Sequence, residues 1–230
     1  MPRLNDESIG AAVARFAFEA LTEGEPIEGV AALTFQLYRD AVAQAEARIP
    51  PSGPRACRPG CAYCCHLKVA VSPAEAIRLA EALRASLDDA ALDALRARVR
   101  ATVERTRGLD ASAHADLRLP CPVLDERGQC LGYAARPTSC AGATSYDAAR
   151  CREAFQSVTN EDVPIPHYGP ERRAAGAARA GLTAALFGKK LDGRVLELGS
   201  ALAILLEDPE ARGRWERGEP AFEEAIDREA

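Results

Sequence analysis

No stretch of this 230-residue chain has the roughly 18 consecutive apolar residues that a membrane-spanning helix needs. The best candidate, Leu196 to Leu206, is too short, so no transmembrane segment and no membrane partner are expected. A secretory signal is also missing, because Met1 to Ser8 carries Asp6 and Glu7 where a basic start and an apolar run belong. These readings point to a cytoplasmic protein. Basic charge is not in excess either: 29 lysines and arginines stand against 34 aspartates and glutamates, for a formal charge of -5 and a pI of about 5.4. Such a chain offers no field that attracts a phosphate backbone, so nucleic acid is not an expected partner. Lysine itself is scarce, at positions 68, 189 and 190 only. There is no Gly-x-Gly-x-x-Gly fingerprint, Walker loop or Gly-x-Ser-x-Gly elbow, which removes support for common nucleotide and hydrolase chemistries. No internal repeat and no low-complexity tract is evident.

What remains is the composition of an ordinary globular protein, 47% hydrophobic and 27% charged, long enough to bury a proper core. Ile9, Val13, Phe16 and Ala20 recur at the helical period and predict a first helix. Val30, Leu33, Leu37 and Ala41 predict a second, which must stop before Pro50-Pro51-Ser52-Gly53-Pro54. In Ser72-Pro73-Ala74-Glu75 a capping hydroxyl, a proline at the first helical position and a glutamate at the third start another helix. It buries Ala76, Ala80, Leu83 and Leu87, and the helix that follows, with Leu92, Leu95, Val99 and Val103, is expected to pair with it antiparallel. From Asp110 to Pro170 regularity falls away, and a turn at Glu126-Arg127-Gly128-Gln129 leaves room for at most a short β-hairpin. Helical periodicity returns at Glu171 to Phe187, Val195 to Leu206 and the segment holding Trp215, Phe222 and Ile226. The expected fold is mainly α. A helical segment 1–50, a cysteine-rich irregular region 55–156 and a helical segment 170–230 together make one compact unit.

Eight cysteines carry the functional signal. Cys57, Cys61, Cys64 and Cys65 fall within nine residues, with Pro59 and Gly60 bending the backbone between them, and Cys121, Cys130, Cys140 and Cys151 follow at wider spacing. An even number permits four disulfides, but a chain of this size with several amphipathic helices needs no staples, and a reducing compartment keeps thiols free. Close thiols repel when ionised unless a cation neutralises them, and thiolate is a soft ligand suited to zinc or an iron cluster. The later cysteines are expected to wrap back over the first group and complete the ligand set. Adjacent Cys64 and Cys65 should point in different directions. The Cys-x3-Cys-x2-Cys spacing of Cys57, Cys61 and Cys64 favours an iron–sulfur cluster over zinc, for which paired Cys-x2-Cys knuckles are expected and only Cys61 to Cys64 provides one. Radical SAM enzymes share that spacing but continue into alternating strands and helices, which this chain does not. His66, His114 and His167 read by default as surface or capping residues, with His66, beside Cys65, also a candidate ligand. Tyr63, Tyr133 and Arg136 read as packing and hydrogen bonding around the thiolates.

In order, Cys64-Cys65, Cys121-Pro122-Val123-Leu124, Cys130 with Tyr133, Arg136-Pro137-Thr138-Ser139-Cys140 and Cys151 resemble the YkgJ-type cysteine-cluster proteins, described as a zinc- or iron-chelating domain. The likeness covers roughly Cys57 to Phe155 and implies metal binding, with zinc and iron both open. The chain departs from the pattern at Val123, where phenylalanine is usual, at Gly132 before Tyr133, and at Ala141, where the family has arginine. Some flagellin lysine methylases carry a similar cysteine domain, so the resemblance also allows a cluster-dependent enzyme acting on a protein substrate. A metal-handling module whose flanking helices dock a protein partner is the third reading.

Overall fold

The computed structural model describes residues 6–157 and 163–229. Residues 1–5, which open the expected N-terminal helical segment, lie outside the described residues. Ten α-helices occur among the described residues. They are α1 (Asp6–Thr22), α2 (Ile27–Arg48), α3 (Pro73–Ser86), α4 (Asp89–Thr106), α5 (Ala111–Asp116), α6 (Thr138–Gly142), α7 (Ala148–Gln156), α8 (Gly169–Gly188), α9 (Leu198–Glu207) and α10 (Ala211–Glu216). Two short strands, β1 (Ala70–Val71) and β2 (Leu196–Glu197), pair antiparallel with Ala70 opposite Glu197 and Val71 opposite Leu196. The protein is thus mainly helical, as the periodicity predicts.

Local chemistry sets the helix ends. α2 stops at Arg48, ahead of the proline-rich linker. At the start of α3 the full capping box forms: the Glu75 amide donates to Ser72 Oγ (3.3 Å), and the Ser72 amide donates to Glu75 Oε2 (3.0 Å). Asp88 caps α4 by accepting from the Ala91 amide at 2.8 Å.

Packing follows the apolar stripes, with three differences from the sequence expectation. In α1 the buried face is Ile9, Val13 and Ala17, whereas Phe16 lies on the rim, 37% exposed, with the Arg15 guanidinium over its ring. α2 buries Ile27, Val30, Ala31, Thr34, Tyr38, Ala41 and Val42, so Leu33 and Leu37 sit at the edge of the face instead of its centre. The expected direct pairing of α3 with α4 gives way to a shared partner, since both pack on α9. α9 supplies the shared apolar face: Leu198, Leu202, Leu205 and Leu206 are all buried, each worth roughly 1.5–3 kcal/mol when fully buried. On the other side, α1 and α2 pack against α8. One hydrophobic cluster runs from Ile9 to Ala225 and includes Trp215, whose indole Nε1 donates to the Asp192 carbonyl at 2.8 Å.

Candidate metal centre

The first four cysteines lie at and before a single 3-10 turn, Tyr63–His66. Gly60 turns the chain between Cys57 and Cys61 with φ +82°, a left-handed conformation that a side chain would oppose. Phe155, one turn beyond Cys151 on α7, packs its ring on His66 (4.6 Å between centroids) and Tyr63 (5.9 Å) and so seats α7 on this turn. The remaining segment joins through the backbone, where the Cys121 amide donates to the Cys65 carbonyl at 2.7 Å. Between Cys121 and Cys130 the chain doubles back as a tight hairpin: Leu124 bridges Cys130, Asp125 Oδ1 accepts from the Arg127 and Gln129 amides at 2.9 and 2.7 Å, and Gly128 sits in the turn. This is the turn expected from Glu126 to Gln129.

Two buried carboxylates fasten these segments to the helical body. Glu75 uses one oxygen for its capping box and gives the other to α6, accepting from the Thr138 amide at 2.8 Å and Thr138 Oγ1 at 2.7 Å. Ser139 Oγ donates to the Ala70 carbonyl at 2.8 Å, which fixes the start of α6, and hence Cys140, against α3 and β1. Glu171, on α8, accepts from Arg55 Nε at 2.8 Å and Thr144 Oγ1 at 2.6 Å, while Arg55 also pairs with Glu46. Arg55 and Thr144 precede Cys57 and Ser145, and those two stretches meet: the Ala56 amide donates to the Ser145 carbonyl at 2.8 Å, and the Ser145 amide to Cys57 Sγ at 3.4 Å.

All eight cysteines are free thiols, and those with resolved titration shifts hold their protons tightly. Burial pushes Cys57 up, its bond from the Ser145 amide opposes this, and the charges of Cys61, Cys64 and Cys151 push it further. A hydrogen bond with Cys65 raises Cys64, with burial next. Burial pushes Cys121 from 9.0 up to about 11, helped by Cys130, Glu197 and Cys64 and opposed by the Val123 amide. Cys140 is raised by burial and then by Cys121, Cys130, Cys64 and Glu75. Burial raises Cys130, while the Gly132 amide and the Arg136 charge pull it down. The thiols therefore feel one another across segments nearly a hundred residues apart in the chain.

Among the described residues, no group of three or more histidine, cysteine, aspartate or glutamate side chains is arranged to hold a metal ion as it stands. The donor chemistry nevertheless suits a soft cation. The sulfurs are thiol, mutually repulsive once ionised, and Cys57 already receives a backbone amide, from Ser145 at 3.4 Å, the kind of support that orients and stabilises bound thiolates. A cation would remove the repulsion that adds to burial in keeping protons on Cys57, Cys121 and Cys140. Arg136, stacked on the Tyr133 ring at 3.8 Å, supplies positive charge beside Cys130, whereas Ala141 is buried and offers none.

The family departure at Gly132 has a packing cause: a Cβ there would meet Leu79 Cδ1 at 2.2 Å, so a side chain would push Leu79 aside where the turn Tyr133–Ala135 packs on α3. His66 turns Nδ1 to the Ala62 carbonyl at 2.9 Å. His114 differs from its expected surface or capping role. It is buried, its Nδ1 is buried without a partner, and it lines a crevice with Cys65, Cys121 and Glu197. The only sequence signal for this was its position seven residues before Cys121. Glu171 gave no signal at all, and Glu75 was visible only as a helix cap.

Residues 56–161 match the CxxCxxCC family, described as "Putative zinc- or iron-chelating domain". The match falls on the segment expected from its motifs and supports metal binding there. Comparison with curated proteins and with solved structures gave no match. No helix among the described residues is long and apolar enough to cross a membrane.

Proposed function

We propose that this protein is a metal-binding protein that holds an iron–sulfur cluster, in preference to zinc, through Cys57, Cys61, Cys64, Cys65, Cys121, Cys130, Cys140 and Cys151. The observation that supports the reading is that four of these free thiols lie at or before one 3-10 turn, to which the Cys121 amide and Phe155 tie the later segments, with the Ser145 amide on Cys57 Sγ at 3.4 Å. Thiolates held this way are suited to a centre with several negative charges, because such an amide offsets part of the charge without competing for the metal. The preference for iron–sulfur rests on the Cys-x3-Cys-x2-Cys spacing from Cys57 to Cys64. A bound cluster would supply electron-transfer or Lewis-acid chemistry. The chain's own part is to hold the ligands, keep Cys121 and Cys140 half-buried, and place Arg136 against the charge at Cys130.

The test is an absorption spectrum with iron, zinc and acid-labile sulfide analysis on protein purified without oxygen. Broad visible absorption with matching iron and sulfide is expected. Colourless protein with zinc and no sulfide would replace the cluster by a structural zinc centre. Metal-free protein with oxidised thiols would overturn the reading.

A further inference from the structure

Most part-buried arginines of this chain hold a carboxylate: Arg55 pairs with Glu46 and Glu171, Arg84 with Glu81, and Arg212 with Glu28 and Glu216. Arg39, Arg78 and Arg136 form no ion pair among the described residues, and contacts link them along one surface. Arg78, half-buried on α3, donates from Nη2 to the Ala134 carbonyl at 2.9 Å and lies over the Phe35 ring of α2 at 5.4 Å. Arg39 is exposed one turn beyond Phe35 on the same face of α2. The turn that supplies the Ala134 carbonyl, Tyr133–Ala135, ends at Arg136, which stacks on the Tyr133 ring at 3.8 Å. Burial holds the Arg78 guanidinium below its ordinary value and Glu75 alone opposes this, yet both Glu75 oxygens are committed to Ser72 and Thr138. A guanidinium drawn out of water without a carboxylate leaves a demand for an anion unmet. The chain as a whole carries a charge of -5, so this surface is not part of a general basic excess. Beside it, Tyr133 is 64% exposed, and tyrosine with arginine is the pairing that carries most binding energy at protein interfaces.

We propose that Arg39, Arg78, Arg136 and Tyr133 form a docking surface for an acidic segment of a partner protein. Its aspartate or glutamate side chains would meet the three guanidiniums, and an apolar side chain would cover Tyr133. Planar guanidiniums take a carboxylate by both oxygens, and the exposed aromatic beside them favours a peptide over a bare anion. The surface goes beyond the metal-binding reading and does not depend on it.

Fluorescence anisotropy of a fluorescein-labelled, glutamate-rich peptide carrying a single leucine, with its glutamine counterpart as control, tests this on the whole protein. Saturable binding of the glutamate peptide alone, weakened by added salt, is expected. Arg39→Ala combined with Arg78→Ala should lower the affinity at least about tenfold. Arg100→Ala combined with Arg107→Ala removes the same charge from paired arginines of α4 and should leave it unchanged. If the Arg78 variant fails to fold, Arg39→Glu, at an exposed helical position, should by itself weaken binding. Absence of binding, equal loss in both double variants, or competition by inorganic phosphate as effective as unlabelled peptide would overturn the proposal. So would self-association of the protein that Arg39→Glu abolishes, which would make the occupant a second copy of the chain.

Discussion

Cys121 links burial to a measurable pH dependence. In the metal-free chain its folded thiol keeps its proton up to about 11, against an ordinary value of 9.0. Between those values the folded state binds more protons than the unfolded one, so stability falls as pH rises through the window. The urea midpoint of stripped protein should therefore be lower at pH 10.5 than at pH 8, and an unchanged midpoint would contradict the burial of this thiol. Glu75 is the other residue with a sharp consequence, because its two oxygens satisfy four donors in a site 4% exposed. Glu75→Ala leaves the donors of Ser72 and Thr138 without their acceptor and should cost about 2–4 kcal/mol by chemical denaturation. Thr138→Val, which removes only the hydroxyl bond, should cost about 1 kcal/mol.

Among the elements, the hairpin between Cys121 and Cys130 depends on close approach to α3. Gly132→Ala would press a methyl group against the buried Leu79 and should destabilise the protein by about 1–3 kcal/mol, read from its thermal or urea transition. The helices themselves were largely legible in the sequence, because periodicity and caps act locally: the capping box at Ser72 and the stripe of α4 appear as written. What could not be read was which helices meet. The α3 and α4 stripes are equally compatible with mutual pairing, and only the leucines of α9, a hundred residues away, decide against it. The site divides the same way. The cysteines and the Gly60 and Gly128 turns were visible from spacing, whereas Glu171, His114 and the second role of Glu75 arise from tertiary contacts that leave no mark on their neighbours in sequence.

At the scale of the whole molecule, the apolar cluster joining α1, α2, α3, α8 and α9 is built of aliphatic and aromatic side chains, while residues 56–69 and 107–157 contain short helices, turns and few buried apolar side chains of their own. Metal binding energy should therefore appear as order in the central segment. Stripping the metal is expected to raise amide hydrogen exchange in 56–69 and 107–157 far more than in α1 and α8, and a uniform rise would contradict that coupling.

The most direct measurement is native mass spectrometry of protein purified without oxygen, compared with the same sample denatured. The account predicts a mass excess attributable to bound metal that disappears on denaturation and leaves a chain with eight alkylatable thiols. A native mass equal to that of the bare chain, with its cysteines joined as disulfides, would contradict it.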